Sequence, residues 1–281
     1  AVPWVLQWHS DVVAATLPMK MAYAAYRQLE KRLLNRAAAV VVSSQTYLEA
    51  SAPLAGYRDK CHVVPLGIDT ARYSQYEEVA GMGPSGPDEE SAAREESRPL
   101  RILAVGRLTY YKGFRYLLEA LARAPGVRLQ LVGQGDEEAM LRALAARRDL
   151  GDRVEFAGGL DDAGLVRAFQ GCDCLCLPSI ERTEAFGVVL LEAMYFGKPI
   201  LSSRLEGSGM NWIVEDGVTG LKFEPANVDS LVAALRQMAA DVDARRRMGA
   251  AGRDKFEANF SIEHSVDGLQ AVYSDLPGPL K

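Results

Sequence analysis

The stretch from Cys172 to Ser202 reads CDCLCLPSIERTEAFGVVLLEAMYFGKPILS, and it decides the fold class of the chain. It opens with a strand-length apolar run at 172–177, continues through a loop that carries acids, and enters a helix predicted over 187–196. A second apolar run follows at 199–202. A helix between two continuous apolar strands is typical of a parallel sheet covered on both faces. The stretch therefore predicts an α/β protein.

The same alternation extends in both directions from this stretch. Further strands are predicted at 4–8, 40–42, 62–65, 102–105, 128–132, 154–156 and 220–223, with helices between them. A segment rich in glycine, proline and glutamate interrupts the pattern and is typical of a linker. We therefore predict a partial N-terminal lobe at 1–76, an acidic flexible linker at 77–98, a C-terminal domain at 99–262, and a final helix and tail at 263–281.

Composition excludes several classes of protein. The chain has 281 residues, of which 48% are hydrophobic and 25% charged, as in ordinary globular proteins. The net charge is −5, and the predicted linker alone holds seven acids and two bases. The rest is balanced and shows no basic patch, so no nucleic-acid partner is expected. No apolar run reaches the roughly 18 residues that a membrane-spanning helix needs.

Three of the four cysteines stand at alternate positions, Cys172, Cys174 and Cys176. Alternate residues of a strand point the same way, so we expect the three thiols to share one face of a buried strand. A metal site would need further ligands from elsewhere and is the weaker interpretation. Reduced thiols fit a cytosolic compartment, and a cytoplasmic location is expected.

The strand predicted at 102–105 ends in Gly106 and is followed by two cations, Arg107 and Lys112. Glycine allows a ligand to approach the backbone, and a helix N-terminus next to cations favours an anion. The pattern indicates a diphosphate site, and the alternative is a tight turn with two solvated bases. A later Gly133-Gln134-Gly135 lacks the third glycine of a dinucleotide-binding loop, so a turn that lines a cleft is favoured there.

Two glutamates flank the start of the helix in the opening stretch. Glu184 lies just before the helix, and Glu192 lies inside it, about two turns after Glu184. Backbone N–H groups at 186–188 are free to hold a phosphate or a sugar hydroxyl. Because Glu192 is surrounded by apolar residues, its burial needs a partner, for which a pair of ligand hydroxyls is one candidate. The alternative is a glutamate that reaches solvent.

Taken together, these motifs resemble the retaining glycosyltransferases of the GT-B fold, in the glycosyl transferases group 1 family. The resemblance rests on Gly-Arg-Leu followed by Lys-Gly at 106–113, on Glu-x7-Glu at 184–192, and on Glu-Asp-Gly-Val-Thr-Gly-Leu at 215–221. It covers nearly all of 100–262. Upstream, His-Ser-Asp-Val-Val at 9–13 is similar to members that build bacterial surface polysaccharide, and Val-Pro-Leu-Gly-Ile-Asp at 64–69 is similar to the turn before the interdomain linker. The implied fold is GT-B-like, with two Rossmann-like lobes.

The resemblance also implies roles for individual residues. Arg107 and Lys112 would hold the diphosphate of a nucleotide-sugar donor, beside Gly106. Glu184 would contact the donor sugar, and His9 would reach it from across the cleft. Glu192 would bind the ribose hydroxyls of the nucleotide. Backbone contacts would come from Ala185, Phe186, Gly187 and Val188.

The implied activity is transfer of a hexose, with retention, from a GDP- or UDP-linked donor to a glycan or lipid-linked acceptor. No cofactor is expected, and because no Asp-x-Asp motif follows a predicted strand, metal independence is expected as well. Family members usually begin 80–100 residues earlier, so the first lobe is expected to be incomplete. The stretch at 205–212 also departs from the common Gly-Gly-Ile-Pro-Glu pattern, so sugar contacts there do not transfer residue by residue.

Three alternatives remain open at this point: a nucleotide-binding fragment without turnover, a nucleotide-sugar epimerase, and a glycoside hydrolase. Peripheral contact with the inner face of a membrane is a further hypothesis. It rests on a helix with an apolar face and five bases, Lys20, Arg27, Lys31, Arg32 and Arg36. The alternative there is an ordinary surface helix of the first lobe.

Overall fold

The structure, a computed structural model, describes residues 3–12, 17–77 and 98–276. These residues form two parallel sheets, each with helices packed against it. No helix within the described ranges combines the length and apolarity needed to cross a bilayer.

The N-terminal sheet contains three parallel strands in the order β1-β2-β3. They are β1 (Val5–Trp8), β2 (Ala39–Val42) and β3 (Cys61–Val63). Helix α1 (Leu17–Arg36) connects the first two strands, and α2 (Gln45–Ala50) with a 3₁₀ turn at Arg58–Lys60 connects the next two. All four residues of β2 are buried, which explains its uninterrupted apolar sequence.

The C-terminal sheet contains six parallel strands in the order β6-β5-β4-β7-β8-β9. They are β4 (Leu100–Val105), β5 (Val127–Val132), β6 (Val154–Gly158), β7 (Cys174–Leu177), β8 (Ile200–Ser203) and β9 (Gly220–Phe223). The chain builds the sheet outward from β4 in one direction and then returns to β7 to build it in the other. In sheets of this kind, ligands bind at the carboxyl ends of the strands where the order reverses. That point lies between β4 and β7.

Helices cover both faces of this sheet and bury two apolar clusters against it. They are α4 (Phe114–Ala122), α5 (Glu138–Arg147), α6 (Asp162–Gly171), α7 (Val188–Tyr195), α8 (Met210–Ile213), α9 (Val228–Ala240) and α10 (Val242–Asn259). Several begin at a side chain that accepts from the first turn, as Asp161 does from the N–H of Gly164. Such caps fix where each helix begins.

Two elements pack across the predicted domain limits. Helix α3 (Ala71–Glu77) packs against α6, and Tyr73 lies in the apolar core of the C-terminal sheet. The last helix, α11 (Ile262–Ser274), returns to the first sheet, where Val272 packs with Val41 and Val64. The domain limits stay a prediction. Helix α3 precedes the predicted linker but packs on the C-terminal lobe, and α11 follows the C-terminal domain but packs on the N-terminal lobe.

The predicted linker lies mostly outside the described residues, which resume at residue 98. Its two end residues are ordered parts of the fold. Glu77 is the last residue of α3. The guanidinium of Arg98 donates to both carboxylate oxygens of Asp173 at 2.6 Å, which attaches the start of β4 to the start of β7.

One cysteine departs from the prediction of a shared face. Cys174 and Cys176 lie in β7 and point into the same cluster, whereas Cys172 belongs to the cluster on the opposite face. The reason is that β7 begins only at Cys174, so strand alternation does not extend back to Cys172, whose thiol donates to the carbonyl of Phe169 at 3.2 Å. Burial raises the pKa of all three thiols.

Candidate donor-binding site

The loops that follow β4 and β7 meet at the point where the strand order reverses. Gly113 has a positive φ of 69°, and a Cβ there would lie 2.1 Å from the carbonyl oxygen of Pro178. The N–H of Ile180 donates to the carbonyl of Tyr111 at 2.8 Å. Only glycine permits this approach, because any side chain would push the loops apart. The contact brings the predicted diphosphate loop against the loop that carries Glu184.

The ion pair between Lys112 and Glu184 lies at the centre of this contact. The Lys112 Nζ is 2.5 Å from Glu184 Oε2, and both side chains are largely buried, with 12% and 11% of their surface exposed. The Ser179 hydroxyl donates to the same carboxylate oxygen at 3.0 Å. Along its length the lysine passes Gly106, where a Cβ would lie 3.2 Å from its Cε. The missing side chain of Gly106 therefore gives Lys112 its path to Glu184.

Burial makes this ion pair sensitive to the loss of either member. Removing two charges from water is costly, and the cost is met only when the pair is close and otherwise hydrogen-bonded. Here the distance is short and Ser179 supplies an additional donor. The pair can thus hold a carboxylate and an ammonium group ready beside a ligand.

Arg107 differs from Lys112, although both follow β4. Its side chain is exposed, and no acid within the described ranges forms an ion pair with it. An unpaired guanidinium beside the cleft is available for a bidentate contact with an anion. The structure thus provides one cation held in place and one free to meet a ligand.

The start of α7 presents free backbone donors next to Glu184. Gly187 adopts a left-handed conformation with φ 82° and caps the helix, which begins at Val188. No hydrogen bond between described residues uses the N–H groups of Phe186, Gly187 or Val188. The Phe186 ring is buried against Trp212 and Phe260, so this residue can offer a ligand only its backbone. The positive end of the helix dipole and these N–H groups favour an anion.

Glu192 lies inside α7 and has a partner that the sequence did not indicate. The Tyr73 hydroxyl donates to Glu192 Oε1 at 2.7 Å. Burial raises the pKa of Glu192, and the Tyr73 hydrogen bond and the charge of Arg72 oppose this rise. The expectation that burial requires a partner is met within the protein, in addition to any ligand hydroxyls.

His9 lies at the carboxyl end of β1, where its exposed side chain lines a cavity of about 250 Å³ with Trp8, Tyr26 and Glu30. Two residues later, Asp11 forms an ion pair with Arg182 on the loop that carries Glu184. The ion pair attaches the segment that follows β1 to the loop of Glu184, and contact of the His9 side chain with the donor stays a prediction.

Asp11 is the centre of a small cross-lobe network. Its carboxylate also accepts from Trp8 Nε1 at 3.0 Å and from the Ser51 hydroxyl at 2.7 Å. The Arg182 guanidinium lies over the Tyr47 ring, 4.7 Å from its centroid. The network joins the N-terminal lobe to the loop between β7 and α7.

The stretch at 205–209 fills the space between the two lobes. A Cβ on Gly207 would lie 2.4 Å from the Cβ of Ala50, and the Thr46 hydroxyl donates to the Ser208 carbonyl at 3.3 Å. On its other side the Ser208 hydroxyl donates to the Glu184 carbonyl at 2.6 Å. The stretch therefore supports the backbone of Glu184.

The turn at 133–135 packs against the loop that follows β4, and its role in lining the cleft stays a prediction. A Cβ on Gly133 would lie 1.9 Å from the Gly106 carbonyl oxygen, and one on Gly135 would lie 2.3 Å from that of Leu108. Both glycines are required by close backbone approach.

A cavity of about 480 Å³ lies away from these loops and is lined by none of the predicted site residues. It lies near the amino ends of β4 and β5, beside Arg101, Arg128 and Arg167. Parallel sheets bind their ligands at the opposite ends of the strands. We therefore assign the candidate site to the loops after β4 and β7, despite the volume of this other cavity.

Several residues of the site were missed by sequence reasoning. Ser179 follows a predicted strand, and Asp11 belongs to the quoted His-Ser-Asp segment, so each had a positional signal. Arg182 belongs to the quoted stretch 172–202, whereas Tyr73 had no signal, and their partners lie 171 and 119 positions away along the chain. Proximity of this kind comes from the packing of the two lobes.

Comparison with protein families matches two regions of the chain. Residues 87–255 match the family described as glycosyl transferases group 1. Residues 1–67 match the glycosyl transferase 4-like domain. The two matches fall on the two lobes.

Similar curated proteins include two bacterial sugar transferases. The chain is 32% identical over 279 residues to O-antigen chain mannosyltransferase C of Escherichia coli, covering 97% of this chain and 69% of that protein. It is 31% identical over 259 residues to D-rhamnosyltransferase WbpZ of Pseudomonas aeruginosa, covering 92% and 64%. The chain thus spans about two thirds of the length of these relatives.

Solved structures share the two-lobed architecture. Anabaena HepE in complex with UDP and glucose has a TM-score of 0.78 at 22% identity, with 98% of this chain and 72% of that chain covered. Sucrose-phosphate synthase from Thermosynechococcus elongatus has a TM-score of 0.78 at 26% identity, covering 97% and 67%. The expected GT-B-like fold is confirmed.

Proposed function

The chain belongs to the glycosyl transferases group 1 family, and from this premise we propose that it transfers a hexose from a nucleotide-diphosphate sugar to a glycan or lipid-linked acceptor, with retention, in surface-polysaccharide synthesis. The observation that carries the proposal is the Lys112–Glu184 ion pair at the start of α7, beside free backbone N–H groups and Arg107. A nucleotide-diphosphate sugar suits this arrangement, because its diphosphate is an anion and a helix N-terminus beside cations favours an anion.

The leaving group of this reaction is a nucleoside diphosphate. As the bond from the anomeric carbon to the diphosphate oxygen breaks, the electron pair stays on that oxygen and positive charge grows on the sugar. Lys112 and Arg107 would stabilise the growing negative charge, and so would the N–H groups at 186–188. The proposed chemistry needs no cofactor beyond the donor itself, since fixed cations supply the positive charge.

The sugar would lie between Glu184 and His9. In the proposed retaining transfer, the acceptor oxygen attacks the anomeric carbon on the face from which the diphosphate departs, and its proton passes to the departing diphosphate oxygen. Glu184 would contact the sugar, and His9 would approach it from the N-terminal lobe. Glu192, about one turn into α7, would bind the ribose at the other end of the donor.

A GDP-linked or UDP-linked sugar is the proposed donor. One relative, at 29% identity, is a GDP-mannose-dependent mannosyltransferase of Corynebacterium glutamicum. UDP and glucose are present in the Anabaena HepE complex. Both are observations on other proteins, and they select the nucleotides to test first.

The first experiment is calorimetric titration of the chain with GDP, UDP, ADP and NAD. We expect one nucleoside diphosphate to be preferred, with binding clearly weakened in Lys112→Ala and in Glu192→Ala. Matched controls are Lys31→Ala on the exposed face of α1 and Glu119→Ala on α4, both of which should bind as the unaltered chain does. Well-folded protein that binds no nucleoside diphosphate would contradict the proposal.

A second experiment separates transfer from its alternatives. The sugar linked to the preferred nucleotide is incubated with and without acceptor, and products are identified by chromatography and NMR. Transfer with the donor's anomeric configuration supports the proposal. Inverted product would contradict retention, conversion of the donor alone would favour an epimerase, and nucleotide binding without any conversion would favour a fragment without turnover.

We also propose that α1 contacts an anionic membrane surface. Its basic residues Arg27, Lys31, Arg32 and Arg36 are exposed. Exposed apolar side chains accompany them on the same helix: Met19, Met21, Tyr26 and Leu29. This composition is typical of helices that lie on anionic lipid. Sedimentation with phosphatidylglycerol vesicles, and its loss in the double variant Lys31→Glu and Arg32→Glu, would support the contact, whereas equal sedimentation would exclude it.

A further inference from the structure

Glu192 accepts a hydrogen bond from Tyr73, a residue that lies before the predicted linker and so outside the predicted C-terminal domain. Tyr73 reaches it from α3, which precedes the second sheet in the chain, and the hydroxyl donates to Glu192 Oε1 at 2.7 Å. We propose that Tyr73 is a positioning residue for the donor nucleotide, which holds the Glu192 carboxylate so that it selects ribonucleotides over 2′-deoxyribonucleotides. This inference rests on the proposed function, in which Glu192 binds the ribose.

Packing leaves the Tyr73 side chain no freedom. It is fully buried, and its ring lies 5.8 Å from the Tyr195 ring and 5.4 Å from the Phe196 ring, centroid to centroid. The Arg72 guanidinium is 4.8 Å from its centroid. A buried hydroxyl must find a hydrogen-bond partner, and here that partner is the carboxylate. The Tyr73 side chain is therefore held in one position by its packing.

The direction of this hydrogen bond is also fixed. Burial, together with the neighbouring Glu192 charge, raises the pKa of Tyr73, so the phenol keeps its proton throughout the range in which proteins work. The phenol donates and the carboxylate accepts. Glu192 is thus held without being neutralised, since its partner carries no charge.

The second carboxylate oxygen remains available. Glu192 Oε2 makes no hydrogen bond within the described ranges, yet it is not among their buried, unpartnered side-chain atoms, so it reaches solvent. A ribose presents two neighbouring hydroxyls that donate, and an anionic acceptor held in one orientation binds such donors better than one that rotates. Loss of one ligand hydroxyl should therefore weaken binding most when the carboxylate is fixed.

The test compares GDP with 2′-deoxy-GDP, and UDP with 2′-deoxy-UDP, by calorimetry on four proteins. These are the unaltered chain, Tyr73→Phe, Glu192→Ala and the control Tyr76→Phe, which removes a hydroxyl one turn along α3. We expect the unaltered chain to favour the ribonucleotide by about tenfold, the scale of one hydrogen bond to a charged group. Tyr73→Phe should reduce this preference to about two- to threefold while leaving deoxynucleotide affinity unchanged, and Tyr76→Phe should keep the full preference.

The outcomes separate failure of this inference from failure of the proposed site. If Glu192→Ala leaves ribonucleotide affinity unchanged, the ribose role of Glu192 is wrong, and the inference fails with it. If Glu192→Ala abolishes the preference but Tyr73→Phe retains it, only the inference is overturned. Equal weakening of both nucleotides in Tyr73→Phe would indicate a merely structural role and would also overturn it.

A double-variant cycle gives an independent reading. Glu192→Gln keeps the shape of the side chain but removes its charge, and we expect it to reduce the preference by itself. Combined with Tyr73→Phe, it should cause no further loss, because the two residues act as one unit. Additive losses would show that the tyrosine acts elsewhere, and would overturn the proposal.

Discussion

The two glutamates of one motif, Glu184 and Glu192, are stabilised in different ways. Glu184 pairs with a cation, the ammonium group of Lys112 at 2.5 Å. Glu192 accepts from a neutral phenol, the hydroxyl of Tyr73 at 2.7 Å. The first arrangement cancels the charge of the carboxylate, and the second preserves it. The difference teaches that charge is distributed unevenly around α7: a neutralised ion pair lies just before the helix, and an anionic group lies about one turn inside it.

The largest expected effect comes from breaking the ion pair. Lys112→Met would leave Glu184 largely buried with Ser179 as its remaining donor. We expect the transfer rate to fall at least about 100-fold, since a fixed cation beside the leaving group is lost. The free energy of unfolding should fall by about 3 kcal/mol, because a buried charge loses its partner. Steady-state kinetics and chemical denaturation measure the two effects.

The matched control is Lys198→Met, whose Nζ donates to the Cys172 carbonyl at 2.9 Å, just before the amino end of β7 and at the opposite end of that strand from the loop of Glu184. It should leave the transfer rate within about twofold. The double variant Lys112→Met with Glu184→Gln should recover most of the lost stability but none of the activity. Recovery of activity in the double variant would contradict the role given to Lys112.

The next effect is the pH dependence of nucleotide binding. Because burial raises the pKa of Glu192, its carboxyl takes up a proton at a higher pH than an ordinary glutamate does. The Tyr73 hydrogen bond lowers the pKa of Glu192. Two charged groups also act on Glu192: Arg72 lowers its pKa and Asp162 raises it. Protonation removes the anionic acceptor, so nucleotide affinity should decline as pH falls through this raised pKa, by roughly three- to tenfold.

Glu192→Gln is the control for this titration. It cannot gain a proton, so its affinity should be lower at neutral pH but flatter on acidification. The diphosphate of the ligand titrates equally against both proteins, and the ratio of their affinities isolates Glu192. A ratio that does not change with pH would show that Glu192 lies outside the nucleotide site.

The sequence predicted the helices and strands of the fold better than the contacts between them. Strands β2 and β7 are continuous apolar runs because both of their faces are covered, and this signal is local. The glycine at 106 and the lysine at 112 stood out for the same reason, since both follow a strand closely. The error at Cys172 came from where β7 begins, and strand limits depend on hydrogen bonds to neighbouring strands that a local pattern does not contain.

Contacts between the lobes had no local signal. The expectation that Glu192 needs a partner followed from its apolar surroundings, but Tyr73 could not be selected among the 11 tyrosines of the chain. The same holds for Asp11 and Arg182, which meet only because the lobes pack together. Charged side chains that could bind a ligand can be predicted from residue types near strand ends. The residues that hold those side chains in position become visible only in the tertiary structure.

A smaller effect is expected from cutting the cross-lobe network. Arg182→Met removes the cation from Asp11 and from the face of Tyr47, while Asp11 keeps Trp8 and Ser51. Since Arg182 lies on the loop of Glu184, we expect kcat/KM for transfer to fall by about tenfold. Nucleotide affinity should stay unchanged, because Glu192 is oriented by α3 and not by this loop.

The matched control is Arg204→Met, which breaks an exposed ion pair with Asp216. It should alter neither quantity measurably. Arg182→Met could instead weaken nucleotide binding as strongly as transfer. Glu184 and Glu192 would then both depend on the loop of Arg182, and the proposed difference in how they are held would be wrong.

The smallest effect is expected at the ion pair between Arg72 and Asp162, which lies beside Tyr73. Both side chains are about half exposed, at 47% and 41%, so water screens the attraction. Asp162→Asn should therefore change the free energy of unfolding by no more than about 0.5 kcal/mol. The preference for ribonucleotides should persist, because Tyr73 is held by burial among Tyr195 and Phe196 rather than by this pair. Loss of the preference in Asp162→Asn, measured by calorimetry alongside the denaturation curve, would mean that surface charge orients Tyr73. The distinction between a glutamate held by charge and one held by packing would then fail.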